Sequence, residues 1–121
     1  MGVFTTFFNL VACKSKPISQ IDQFAKLHHL DKYDSTVVVS LFTCQPCVQE
    51  FYEQNKNNNA MLWIFDEHLK YDFLKTASLN KLNLTQDTLD AYLGKFGNMI
   101  IITRDKDAHY ISRHYPQYED N

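Results

Sequence analysis

Residues 36–42 form an almost unbroken β-branched and apolar run, from Thr36 through Val37, Val38 and Val39 to Phe42. Such a run predicts a central strand buried on both faces. Beyond it, Val48, Phe51 and Tyr52 recur at i, i+3 and i+4 while Gln49, Glu50, Glu53 and Gln54 point elsewhere, the spacing of an amphipathic helix that ends in the asparagine-rich stretch 55–59. A second apolar run follows at 60–65, so strand, helix and strand form a βαβ unit with a parallel pair.

The flanking segments extend this α/β pattern. Ser19 can cap a helix running to about Leu30, with Ile21, Phe24, Ala25 and His28 at helical spacing and Asp22 in its first turn. Residues 31–35 are turn-like. Downstream, Leu69, Phe73, Leu74 and Ala77 predict another helix, after which Leu82 and Leu84 lead to Thr85, a cap for a helix carrying Leu89, Tyr92, Leu93 and Phe96 on one face. Gly94 or Gly97 should stop that helix. Residues 99–103 are a third buried-type run, and the polar stretch 104–107 turns into 108–113, predicting a terminal antiparallel hairpin that frays from Pro116.

Composition narrows the class. The chain has 121 residues, 45% hydrophobic and 14% aromatic, enough for one packed domain and no internal repeat. Its formal charge of −2 gives no long-range attraction to nucleic acid or anionic lipid. Gly2, Gly94 and Gly97 supply no phosphate loop, and no Ser-His-Asp or paired-carboxylate constellation is present.

Residues 1–12 are mostly apolar but short of the roughly 20 residues that span a bilayer. They end in Leu10-Val11-Ala12-Cys13 followed by Lys14-Ser15-Lys16, which resembles the lipobox of bacterial lipoproteins. That resemblance implies a cleaved signal over 1–12 and a lipid anchor on Cys13, with a single domain over 13–121. The apolar run lacks a preceding Lys or Arg, and the alternative is an N-terminal strand over 3–11.

The chemistry centres on Cys44-Gln45-Pro46-Cys47, placed where the strand runs into the helix. Two cysteines at i, i+3 there put the first thiol beside free helix N–H groups and the positive end of the helix dipole, which favours thiolate. Cys47, one turn inside, is more buried and close enough to form a disulfide with Cys44. Pro46 suits a first helical turn, where its missing N–H costs nothing.

In residues 37–47 and 100–105, and in element order over roughly 18–115, the chain resembles the thioredoxin superfamily, specifically its membrane-tethered bacterial members with a CxxC motif. The resemblance implies a central mixed sheet flanked by helices and thiol–disulfide exchange, with Cys44 attacking and Cys47 resolving. Thr43, Gln45, Pro46, Gly97 and Asn98 would support the motif. Partners would be protein thiol or disulfide substrates and a redox partner protein, without cofactor, metal or nucleic acid. A monomer held by lipid on the periplasmic side of a bacterial envelope is implied, with the cytoplasm as the alternative compartment.

Three positions depart from that family. Thr43 stands where thioredoxin has tryptophan, residues 96–98 lack the usual cis-proline, and residues 36–42 contain no carboxylate. Proton transfer to Cys47 would then use water or Glu50.

Two other readings compete. The thiols could be structural in a redox-inactive binding module, or hold Cu(I) or Zn(II) with one of His68, His109 or His114. Strand alternation puts His109 and His114 on opposite faces, and His28 and His29 lie about 100° apart on a helix, so none forms a spaced ligand set.

Overall fold

The computed structural model describes residues 19–76 and 78–115. The expectations for 1–12, Cys13, Ala77 and the stretch from Pro116 lie outside these residues.

The elements are α1 (Gln20–Leu27), a 3-10 turn (Leu30–Lys32), β1 (Ser35–Val39), α2 (Gln45–Asn55), β2 (Met61–Phe65), α3 (Asp72–Thr76), β3 (Asn80–Asn83), α4 (Gln86–Leu93), β4 (Met99–Asp105) and β5 (Ala108–Tyr115). The five strands make one mixed sheet in the order β3-β2-β1-β4-β5. The βαβ expectation holds: β1 pairs with β2 in parallel, and β2 with β3. β4 pairs antiparallel with β1 and with β5, completing the expected hairpin.

Alternation along the strands divides the core between two faces. Val37, Val39, Trp63, Phe65, Met99 and Ile101 meet Val48 and Phe51 of α2 and Leu74 of α3 on one face. Val38, Leu62, Ile64, Ile100 and Ile102 meet Phe24 of α1 and Leu89 of α4 on the other. β2 is buried at every position, as a strand covered on both faces must be.

Several boundaries differ from the sequence pattern, each for a local reason. α1 is capped by Ser19, which accepts from the Asp22 N–H at 3.1 Å, but it ends at Leu27. His29 turns left-handed (φ 58°), and the chain re-enters the core through the fully buried Leu30. β1 stops at Val39: the Ser40 amide still bonds the Asn98 carbonyl, in register with the β4 pairing, but the Leu41 amide turns away to Gln86 Oε1. α3 is only five residues long, and Leu69 packs in the turn before it.

β3 had no sequence forecast, since Asn80-Lys81-Leu82-Asn83 carries a single apolar residue. α4 is capped by Thr85 and stops at Gly94, whose φ of +72° favours glycine; Phe96 lies beyond the helix yet packs on the same core. The register of β5 shifts near Ser112, so His109 pairs with Arg104 and His114 with Ile100. Those partners are four residues apart on β4, so this bulge brings His109 and His114 to the same sheet face, correcting the simple alternation. They remain five residues apart along the strand.

Candidate functional site

The thiol pair sits beyond the C-terminal end of β1, on the first turn of α2. Cys44 is the N-cap residue in extended conformation (φ −83°, ψ 114°), and Gln45 and Pro46 fill the exposed first turn. Cys47 follows at the third helical position. Its Sγ lies 2.7 Å from Cys44 Sγ, both as free thiols, with Cys44 exposed and Cys47 half-buried.

The two thiols differ electrostatically. The Cys44 thiol is held below its ordinary range, first because the Cys47 thiol donates to it and then because the Cys47 amide faces it, against a small opposing effect of burial. That amide contact falls short of a full N-cap hydrogen bond. Cys47 is pushed up, first by its donation to Cys44, then by burial and by the charges of Cys44 and Glu50. At neutral pH, Cys44 is the sulfur that ionises first.

The loop into the motif, residues 40–44, is tied by distant groups. Ser40 N–H donates to the Asn98 carbonyl at 2.9 Å, and Leu41 N–H to Gln86 Oε1 at 2.7 Å. Tyr71 Oη donates to the Thr43 carbonyl at 2.7 Å, and Cys44 N–H donates to Asn98 Oδ1 at 3.0 Å. The Thr43 hydroxyl is buried without a partner. Phe42 beside it is 82% exposed.

Among the sequence-predicted motif neighbours, Asn98 meets the Thr43–Cys44 peptide at this loop, Gln45 and Pro46 follow it as exposed residues of the first turn of α2, and Gly97 is the exposed residue before Asn98. Tyr71 and Gln86 were missed. Both act across long stretches of chain, and neither belongs to a spaced motif that could announce it. An aromatic series, Tyr71 on Phe73, Phe73 on Tyr52, and Tyr52 on Trp63, links the loop to the core at centroid distances of 5.1–6.0 Å.

A buried carboxylate is present, but at the end of β2. Asp66, 5% exposed, accepts from the amides of His68 and Gln86 at 2.8 Å each and meets His68 Nδ1 at 2.8 Å. Burial alone would raise its carboxyl; these hydrogen bonds and the His68 charge more than offset that and hold it below the carboxylate range. Because the folded form binds its proton less readily than the unfolded chain, whose carboxyl titrates near about pH 3.9, Asp66 stabilises the fold above that pH. The contribution is lost as pH falls through the lower folded value. Asp66→Ala is expected to cost about 1–3 kcal/mol at pH 7, by leaving the two amides unpartnered. Urea unfolding at pH 7 and pH 3 should show the difference from the parent shrinking at the lower pH.

The remaining histidines are scattered. His68 is exposed at the β2 end, the His28 ring lies tilted against Phe24 at 4.8 Å, and His109 packs beside Asp22 of α1. Among the described residues, no three His, Cys, Asp or Glu side chains gather as a metal site. No helix of the described residues is long and apolar enough to cross a membrane. Compared with protein-family models, curated proteins and solved structures, the chain finds no match.

Proposed function

We propose that the protein is a thiol–disulfide oxidoreductase of thioredoxin-like type, exchanging disulfides with protein substrates through Cys44 and Cys47. The observation that carries this reading is the asymmetry of the pair. An exposed N-cap thiol with a depressed pKa stands 2.7 Å from a half-buried thiol with a raised one, the division of labour that exchange requires. The order strand, CxxC, helix and parallel strand, closed by an antiparallel hairpin, supports the family resemblance.

In the reducing direction, the Cys44 thiolate attacks one sulfur of a substrate disulfide. A mixed disulfide forms and the other substrate sulfur leaves as thiolate, taking a proton from solvent. Cys47 then loses its proton, to water or to Glu50, and attacks Cys44 Sγ. The second substrate thiol is released, and two electrons have passed from the dithiol to the substrate. A dithiol protein as redox partner returns the pair to its reduced form, and the reverse sequence oxidises a substrate dithiol. Phe42 offers an apolar contact next to the nucleophile.

Tethering through lipid on Cys13, on the outer side of a bacterial membrane, belongs to the same proposal and rests on the lipobox-like residues 10–13. Mass spectrometry of membrane-fraction protein should find diacylglycerol on Cys13; soluble protein retaining residues 1–12 would contradict the anchor.

The activity is tested by mixing the reduced protein with a disulfide-bonded protein substrate and a dithiol reductant. Catalytic turnover above the reductant alone is expected. Stoichiometric binding without turnover would point to a redox-inactive module.

A further inference from the structure

The peptide group joining Thr43 to Cys44 is gripped at both polar ends. Its carbonyl accepts from the Tyr71 hydroxyl at 2.7 Å, and its N–H donates to Asn98 Oδ1 at 3.0 Å. The two side chains come from 28 and 54 residues further along the chain, one in the segment before α3 and the other in the loop before β4.

Each grip is itself held. The Tyr71 ring stacks on Phe73 at 5.6 Å with an interplanar angle of 15°. Burial first, and then the nearby Cys44 and Cys47, keep the proton on its hydroxyl, so it remains a donor. Asn98 is locked through its own backbone, its N–H donating to the Tyr115 carbonyl and its carbonyl accepting from Ser40, both at 2.9 Å. A surface peptide ordinarily makes such bonds to water and rotates; this one has its N–H and its carbonyl each held by a protein side chain.

The orientation of that peptide, together with φ of Cys44, decides where the Cys44 side chain points. We infer that Tyr71 and Asn98 are positioning residues that clamp the Thr43–Cys44 peptide and thereby hold Cys44 Sγ against the Cys47 thiol and the first turn of α2. Tyr71 also caps the negative end of the carbonyl that adjoins the nucleophile. Released at either end, the peptide lets Cys44 leave the donors that stabilise its thiolate, and the thiolate forms at higher pH. The clamp occupies the side-chain oxygen and both backbone groups of Asn98, in the loop that lacks a proline.

This inference rests on the redox reading for its purpose, but its test does not need turnover. In the full chain carrying Cys13→Ser and Cys47→Ser, whose serine hydroxyl can still donate to Cys44, the rate of Cys44 alkylation by iodoacetamide is followed against pH. Tyr71→Phe keeps the ring and removes only the hydroxyl; Asn98→Ala removes the acceptor.

Each is expected to move the Cys44 titration upward, slowing alkylation about threefold to tenfold below its midpoint. The high-pH plateau and the circular dichroism should stay unchanged. Because both groups hold one peptide, the double variant should show less than the product of the single effects. An unchanged Cys44 titration in folded Tyr71→Phe protein would overturn the clamp, as would single effects that simply multiply. Tyr71→Phe alone decides the matter if Asn98→Ala does not fold. A wild-type pair that forms no reversible disulfide would defeat the redox reading while leaving the alkylation result legible.

Discussion

Cys44→Ser is expected to bring disulfide exchange down to background, whereas Cys47→Ser leaves the first chemical step intact and traps the substrate. The thiolate is the attacking species, and a serine hydroxyl cannot replace it. Both variants are made in the Cys13→Ser chain, so with Cys44 gone the remaining cysteine is the half-buried Cys47. Even an ordinary cysteine is only roughly 3% thiolate at pH 7, so exchange through Cys47 should fall to a few per cent of the parent rate or less. In Cys47→Ser protein the Cys44 thiolate still attacks, but nothing within the chain resolves the product, so a covalent mixed disulfide accumulates. Non-reducing gels or intact mass measurement with a disulfide-bonded substrate should show that adduct for Cys47→Ser and its absence for Cys44→Ser. Equal trapping by both variants would remove the distinction between attacking and resolving thiols.

Trp63→Ala is expected to have the largest effect on stability. Trp63 sits in the middle strand pair, fully buried, with ring contacts to Phe51 at 5.7 Å and Tyr52 at 6.0 Å. Truncation removes the buried indole and leaves a cavity between β2 and α2, a change of about 3–5 kcal/mol. Domains of this size are stabilised by about 5–15 kcal/mol in total, so the variant should be marginal. Because α2 and its N-cap carry the two thiols and the helix packs on this ring through Phe51 and Tyr52, exchange should weaken alongside the fold. Trp63→Phe should cost far less, since it keeps most of the packing and removes an indole N–H that has no partner. Denaturant unfolding of both variants checks the order; equal loss would mean that the site does not depend on filling this space.

The strands at 36–42, 60–65 and 99–103 were legible because buried strands must be apolar, and that requirement is written locally. Ser19 and Thr85 announced helix starts for a similar reason: a cap is a contact between neighbours. The Cys44-Gln45-Pro46-Cys47 placement followed from the strand and helix around it. What stayed hidden was set by distant partners. The end of β1 depends on Gln86, which draws the Leu41 amide away, and β3 is a strand because β2 offers it an edge, not because Asn80-Lys81-Leu82-Asn83 favours one.

The same holds for the site. Asn98 could be singled out because it occupies the loop before β4, but its bond to the Cys44 amide is visible only once β4 lies beside β1. Tyr71 reads in sequence as one more aromatic residue among the 16 Phe and Tyr residues of the chain (9 and 7), and only folding brings its hydroxyl to Thr43. The bulge near Ser112, which changes which face His114 occupies, likewise has no glycine or other local signature.

The most direct measurement is the equilibrium of the Cys44–Cys47 pair with a series of glutathione buffers, in the full chain carrying Cys13→Ser, read by thiol-trapping mass shifts. The account predicts a single reversible transition between dithiol and internal disulfide, with a two-electron slope of about 30 mV per tenfold change, at a potential in the range of known exchange proteins. Thiols that never form a reversible internal disulfide anywhere in the series would contradict it.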